Sequence, residues 1–370
     1  TPADLVPPPP VSLSVSPARV VGSGMATVTW SGAPAGALLK QQEDGKDRMQ
    51  MAVAPGGTLQ VALTATHAYR FSLVVNDQEQ ASAPAYAVPG DPPLWLKSGL
   101  WQDPTWPRQR FHISTGTSQN GGMKFLFVIW ITYTNAGSPI WLISSALDRR
   151  LDQNMPNDHH YDAGAGAWRG TIDSCTYDYN TQEQGCPQRG GGTVRILPKT
   201  DSLATLVWQS ADPELGQGSR DLQRMDTQPD AALKDMTGTW YSDPPQGKST
   251  PKLGGQVYVL AGRQLLAYQT LYDDAGNPSW LFASKAVDAS GSAFTGMTLQ
   301  APRCVGCCAA CPQPPAETFT PVGTITIDNL SFQPGPPPSA SGNVTLSTTG
   351  GTVRRWDQPS PGTKVDRATN

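Results

Sequence analysis

The stretch MKFLFVIWITYTNAGSPIWLISS, Met123 to Ser145, is a long apolar run, a short polar break holding Gly137 and Pro139, and a second apolar run. Runs rich in Ile, Val, Phe and Trp and bounded by turn residues read as strands. Glycine supplies the positive φ of a tight reversal, Asn and Asp close it with side-chain hydrogen bonds, and proline bars the ladder from continuing there. The stretch therefore predicts a β-hairpin, with Tyr133 and Trp141 flanking its turn as a cross-strand aromatic pair.

The same plan recurs in LLAYQTLYDDAGNPSWLFAS, Leu265 to Ser284. A spacing of 139 residues links Tyr133 with Tyr272, Gly137 with Gly276, Pro139 with Pro278 and Trp141 with Trp280. It also links Gly99 and Trp101 of SGLWQDP to Gly238 and Trp240 of TGTWYSDP. Further on, GTVRI from Gly192 matches GTITI from Gly323 at a spacing of 131, as Arg224-Met225-Asp226 matches Arg355-Trp356-Asp357. The chain carries a duplication, with copy one expected over residues 94–228 and copy two over 235–358. Residues 359–370 are left as a C-terminal tail.

The bulk composition agrees with strands and turns. Of 370 residues, 37 are Gly and 35 Pro, and the charged fraction is 15%, against roughly 25% in an average globular chain. One modest helix pattern stands out, Asp230 to Asp235. With 27 Lys+Arg against 30 Asp+Glu the chain has no electrostatic footprint for nucleic acid. No apolar run approaches the ~18 residues of a transmembrane helix.

TPADLVPPPP, residues 1–10, reads as a stiff polyproline spacer behind a processed N-terminus, a start compatible with a lipid tether upstream of Thr1. Residues 11–89 give short strand patterns around glycine turns, VSLSVSPARVVGSGMATVTWSG and TLQVALTATHAYRFSLVVND, expected to form a small sandwich with Trp30 and Tyr69 in its core. AYRFSLVV resembles the penultimate-strand region of bacterial immunoglobulin-like and fibronectin-like domains, in which a Tyr near the strand start pins a corner.

Two further resemblances bear on the duplicated unit. Gly-x-Trp resembles the first strand of lipocalin and avidin barrels, where a Trp closes one end of a ligand-holding barrel. The full pattern, G-x-W followed by Y-x-x-x-G-x-P-x-W-L, resembles tandem modules of secreted proteobacterial proteins that mostly lack an assigned function. It implies secretion and an all-β module, and no activity. The cysteine-rich loop of copy two and the DQNMPNDHHYDAG insertion of copy one depart from that pattern.

The six cysteines form two groups, Cys175 with Cys186, and Cys304, Cys307, Cys308 with Cys311. An even count in a processed chain favours disulfides in an oxidising compartment, with three pairings open to the second group, among them a vicinal Cys307–Cys308 bridge. The alternative for CVGCCAAC is a thiolate metal site. For DDAGN, calcium on Asp273, Asp274 and Asn277 competes with a plain turn; copy one has Thr134, Asn135 and Ser138 there, without the charge. A second metal candidate is NDHHYD, where Asp158, His159, His160 and Asp162 offer imidazoles and carboxylates to zinc or copper. Trp95, Trp106 and Trp168 are candidate stacking surfaces for a ligand.

There is no G-x-S-x-G, H-E-x-x-H, P-loop or G-x-G-x-x-G motif, and none of His67, His112, His159 and His160 has a Ser or Cys partner at a recognisable spacing. The expectation is an all-β, disulfide-stapled, non-catalytic protein, secreted, surface-tethered or periplasmic, with an immunoglobulin-like sandwich followed by two antiparallel barrel or sandwich modules. No cofactor is assigned. Its expected role is adhesion, self-assembly, or binding an extracellular polysaccharide or protein. A small-ligand-binding barrel and a metalloprotein or enzyme using the NDHHYD or CVGCCAAC loop are the alternatives.

Overall fold

The computed structural model describes residues 10–89, 95–117, 124–147, 160–162, 165–225, 227–228, 233, 236–242, 255–286, 294–311, 316–333, 339–349 and 363–367. The fold is all-β, with no α-helix among these residues. The helix pattern at Asp230–Asp235 falls almost wholly outside them.

The first ninety residues supply strands β1 (Ser12–Ser16), β2 (Arg19–Val21), β3 (Gly24–Ser31), β4 (Leu38–Glu43), β5 (Lys46–Ala52), β6 (Gly57–Leu63), β7 (His67–Val75) and β8 (Gln78–Val88). They form two sheets, β1-β3-β6 and β2-β8-β7-β4-β5. Alternate residues of both meet in one core, with Val28, Trp30 and Leu63 from the first sheet and Leu39, Phe71 and Leu73 from the second. Tyr69 is buried, and its hydroxyl accepts a hydrogen bond from the Thr64 backbone N at 2.9 Å, which is the expected corner. The same compact unit takes in the short later segments Asp162–Ala167 and Leu197–Ala204, where Arg19 donates to the carbonyl oxygens of Ala165 and Gly166.

Copy one contains β9 (Gly99–Asp103), β10 (Trp106–Thr117), β11 (Lys124–Tyr133), β12 (Pro139–Leu147), β13 (Tyr161–Asp162), β14 (Ala167–Asp173), β15 (Thr176–Asp178), β16 (Glu183–Gly185), β17 (Gln188–Pro198), β18 (Leu203–Gln209) and β19 (Gln217–Arg224). Its nine-stranded sheet runs β12-β11-β10-β9-β19-β18-β17-β14-β13, and β12 also pairs with β14, joining the two sides. Copy two closes as a barrel of β20 (Gly238–Ser242), β21 (Gly255–Ala261), β22 (Gln264–Tyr272), β23 (Pro278–Ala286), β24 (Phe294–Arg303), β25 (Thr318–Gln333), β26 (Ser339–Thr348) and β27 (Thr363–Arg367). The duplicated unit is thus a ring of eight strands.

One boundary differs from expectation. Residues 363–367 are the last barrel strand and not a tail, since β27 pairs with both β26 and β20. The Arg-x-Asp match had misplaced the end of copy two. In register, Arg224 lies opposite Trp101 and Arg367 opposite Trp240, so these two arginines are the equivalent pair.

Gly-x-Trp has a physical basis in both copies. Gly99 and Gly238 take φ of 145° and 153°, a backbone few other residues adopt. The buried indoles then donate back four residues, Trp101 to the Lys97 carbonyl at 3.1 Å and Trp240 to that of Met236 at 3.0 Å. Eight-stranded barrels leave an interior that side chains can fill. Barrel two is filled by Trp240, Tyr258, Leu271, Met297, Leu299 and Ile325 among others. In copy one the cavity among Val128, Trp130, Leu142, Ile172, Val194 and Leu206 is about 10 Å³, room for roughly one water.

Candidate functional site

Both hairpins form as the sequence predicts. Tyr133 pairs with Pro139 and Tyr272 with Pro278, while Gly137 and Gly276 hold φ of 85° and 84° at the reversals. The aromatic partners are a different matter. Tyr133 packs on Trp280 (ring centroids 5.5 Å apart) and Trp141 on Tyr272 (5.6 Å). The indoles also cross between copies, Trp141 donating to the Leu271 carbonyl at 2.9 Å and Trp280 to that of Thr132 at 3.0 Å. The repeated aromatics join the two modules instead of stitching each hairpin.

The cysteine loops complete this exchange. Each follows the equivalent strand, β14 or β24, and each receives the other copy's turn. Tyr177 N donates to the Gly276 carbonyl at 2.8 Å, and Cys304 N to that of Gly137 at 3.1 Å. The disulfides are Cys175–Cys186, Cys304–Cys307 and Cys308–Cys311, which removes the thiolate site and the vicinal bridge. Asp273 is likewise occupied, since its carboxylate accepts from the backbone N of Ala275 and Asn277 and from the Asn277 side chain. That is a turn cap.

A charged cluster lies in the same junction. Glu317, 3% exposed at its side chain, accepts two bonds from Arg110 at 2.9 Å, one from Arg108 at 3.5 Å and one from the Tyr133 hydroxyl at 2.5 Å. The Arg110 guanidinium also lies over the rings of Tyr268 and Trp280, 5.7 and 6.0 Å from their centroids. Burial alone would raise the Glu317 pKa, but the hydrogen bonds and charge of Arg110 outweigh it and hold the carboxyl below its ordinary value. Burial, and then the Glu317 charge, push the Tyr133 hydroxyl up. The cluster bridges the two copies, with Arg108, Arg110 and Tyr133 from copy one and Glu317 from copy two. Nearby, His112 Nδ1 lies 3.3 Å from Ser114 Oγ and 3.0 Å from Thr239 Oγ1, a buried contact that no sequence motif announces.

The sequence-predicted ligand residues fare unevenly. Asp158 and His159 lie outside the described residues. His160 gives its carbonyl to Arg169 N, and the Asp162 carboxylate caps Ala165 N at 3.0 Å. Among the described residues no three His, Cys, Asp or Glu side chains gather as a metal site. Trp106 and Trp168 are 6% and 1% exposed, so neither offers a face to a sugar; Trp95 is partly exposed. Tight packing inside the ring took both away from the surface.

A concave surface that the sequence reading missed lies on the outer face of copy one. Across β14, β17, β18 and β19 an open groove of about 650 Å³ is lined by Arg169, Thr193, Arg195, Gln209, Gln217 and Ser219. Alternation along the strands puts these side chains outward while Trp168, Val194, Ile196 and Trp208 fill the interior. Gly218, between the outward Gln217 and Ser219, faces inward and leaves room for the Trp208 ring, which a Cβ there would approach within 2.5 Å.

No family model matches the chain, and no curated protein matches it. Among solved structures, a rhamnogalacturonan lyase, YesW, aligns over 97% of this chain and 72% of its own at 11% identity, with a TM-score of 0.15. A likeness of that size carries neither fold nor function. No helix among the described residues is long and apolar enough to cross a membrane.

Proposed function

We propose that the protein is a non-catalytic binding module that holds an extracellular polymer along the outer groove of copy one, while copy two acts as the rigid body on which that barrel is mounted. The observation behind this reading is the groove itself. Its lining combines hydrogen-bonding side chains, among them Thr193, Arg195, Gln209, Gln217 and Ser219, with the apolar Val207, all on paired strands, which position groups more firmly than loops do. Three disulfides suit an oxidising compartment outside the cytoplasm, and they staple the loops that lock the two barrels together.

Affinity electrophoresis of the full chain through gels containing neutral and charged polysaccharides tests the reading. Retention in at least one gel is expected, with loss of retention in Ser219→Trp, whose new indole would occupy the groove from an exposed strand position. Retention that Ser219→Trp leaves unchanged, or the absence of retention in every gel, overturns it.

A further inference from the structure

We infer that the interior of barrel two holds a small neutral molecule by a primary carboxamide group, bound between Gln256, Gln269 and Tyr258. This site lies inside copy two, apart from the outer groove of copy one, and it stands or falls independently of polymer binding.

The duplication supplies an internal control. Gln256 and Gln269 are directly opposed on β21 and β22, Tyr258 is the next residue of β21 on the same face with Ala267 opposite it, and Trp240 faces Gln256 from β20. Copy one builds the same ring with Phe111 opposite Trp130, Ile113 opposite Val128, and Trp101 opposite Phe111. There the Trp130 ring packs on Phe111 and Trp208, with centroids 5.2 and 5.3 Å apart. Where the copies differ, Gln256, Gln269 and Ala267 are smaller than Phe111, Trp130 and Val128, and only Tyr258 is larger than its counterpart Ile113. Space given to an indole and a phenyl ring in one barrel is given to two amides in the other.

The amides are fully buried, as is Tyr258, yet among the described residues the oxygen and nitrogen of Gln256, the oxygen of Gln269 and the hydroxyl of Tyr258 have no hydrogen-bond partner. The Gln269 nitrogen donates to the carbonyls of Gly255 and Thr270, both at 3.1 Å, which fixes the amide and leaves its oxygen as an acceptor. Buried polar atoms left in this state cost stability that the copy-one ring does not lose, and such departures from packing logic belong to functional positions. The unpartnered atoms are two acceptors, the Gln oxygens, and two donors, the Gln256 nitrogen and the Tyr258 hydroxyl. A primary carboxamide is their complement, with two N–H donors and one carbonyl oxygen that accepts twice. Its edge pairs with the Gln256 amide in two parallel bonds, its second N–H reaches Gln269, and its second lone pair takes the Tyr258 hydroxyl. A carboxylate would meet the two Gln oxygens without a donor, and an ammonium would leave both donors unused. Gln256, Gln269 and Thr270, the buried polar residues described in this barrel, are all neutral, so a charged guest would have no counter-charge.

The experiment follows the side-chain amide NMR signals of Gln256 and Gln269 in the isotope-labelled full chain, with its disulfides intact, during titration with acetamide. So small a probe binds weakly, and the titration therefore runs to about 100 mM after long equilibration. Acetate, which has the same shape but a charge, and dimethylacetamide, which lacks the N–H donors, are the controls. Saturable shifts are expected with acetamide and not with either control. Gln256→Met should abolish them, and Tyr258→Phe, which removes only a hydroxyl, should weaken binding about two- to tenfold, as loss of one hydrogen bond implies. The absence of a saturable shift with acetamide overturns the site. An equal response to acetate or dimethylacetamide overturns the carboxamide chemistry, and an affinity unchanged in both variants overturns the assignment to these residues. Water found at these atoms that acetamide does not displace would make the cluster a hydration site only, and would overturn the inference as well.

Discussion

Trp141 and Trp280, equivalent residues of the two copies, each donate an indole N–H to a backbone carbonyl of the opposite copy, Leu271 and Thr132, which are themselves equivalent. The duplicated hairpin therefore works as a two-fold joint within one chain. An isologous contact uses the same patch twice, so a single conserved hairpin can supply both halves of the surface. Trp141→Phe keeps most of the apolar area but removes the bond. A loss of about 1 kcal/mol is expected for it and again for Trp280→Phe, measured by denaturant unfolding. Because the two indoles sit on the same joint, the double variant should depart from the sum of the singles.

The turn glycines should be less forgiving. At Gly276 a Cβ would lie 2.0 Å from the Tyr177 carbonyl oxygen, and at Gly137 2.6 Å from Val305 N, both on top of a positive φ. Gly276→Ala must bear about 1–3 kcal/mol of backbone strain and also push the Cys175–Cys186 hairpin away. A lowered melting temperature is expected, together with new proteolytic cleavage between Cys175 and Cys186. Gly262→Ala is the control, since it has positive φ with open space around its Cβ, and it should show the strain without the new cleavage.

How much of this was legible in the sequence follows from what repeats and what does not. The hairpin, its glycines and the two copies were readable because turn chemistry is local and the period is fixed. The crossed pairing was not read, although a signal existed. The run FLFVIWIT in β11 is apolar on both faces, and a strand covered on both sides loses its alternation. Its Val128 and Trp130 face the barrel interior while Ile129 and Ile131 face the other module. Strand β27 was lost to a three-residue match that did not share its register. Glu317 carried no signal, because its partners Arg110 and Tyr133 are 207 and 184 residues away. The groove could have been found where the copies disagree, at Arg195 against Thr326.

The Glu317 cluster predicts an acid sensitivity with a definite sign. The folded pKa lies below the ordinary 4.5, so the ionised carboxyl stabilises the fold above that pH and the contribution is lost as pH falls from 4.5 through the folded value. Calorimetry from about pH 6 to pH 3 should show falling stability, to which Asp44 and Asp212, also depressed, add. Glu317→Gln should cost about 3–5 kcal/mol at neutral pH by leaving Arg110 without its counter-charge. The diagnostic is the difference between the two proteins, which should shrink as pH falls. A gap that stays constant down to pH 3 would mean that Glu317 is not the titrating group.

Barrel two offers the opposite experiment, a substitution that stabilises. Gln256 is fully buried, and neither its side-chain oxygen nor its nitrogen has a hydrogen-bond partner. Its cross-strand neighbour Gln269 also keeps an unpartnered oxygen, as does the hydroxyl of Tyr258 two residues on. Copy one places Trp130 at the position of Gln269 and, opposite it in the same register, Phe111. A buried amide left without partners costs about 1–3 kcal/mol, whereas methionine of similar volume carries no such demand. Gln256→Met is therefore expected to raise the unfolding free energy by about 1 kcal/mol or more, seen as a higher denaturant midpoint with an unchanged slope. A lower midpoint would show that Gln256 is hydrogen-bonded in solution, and buried water detected beside it would identify the partner.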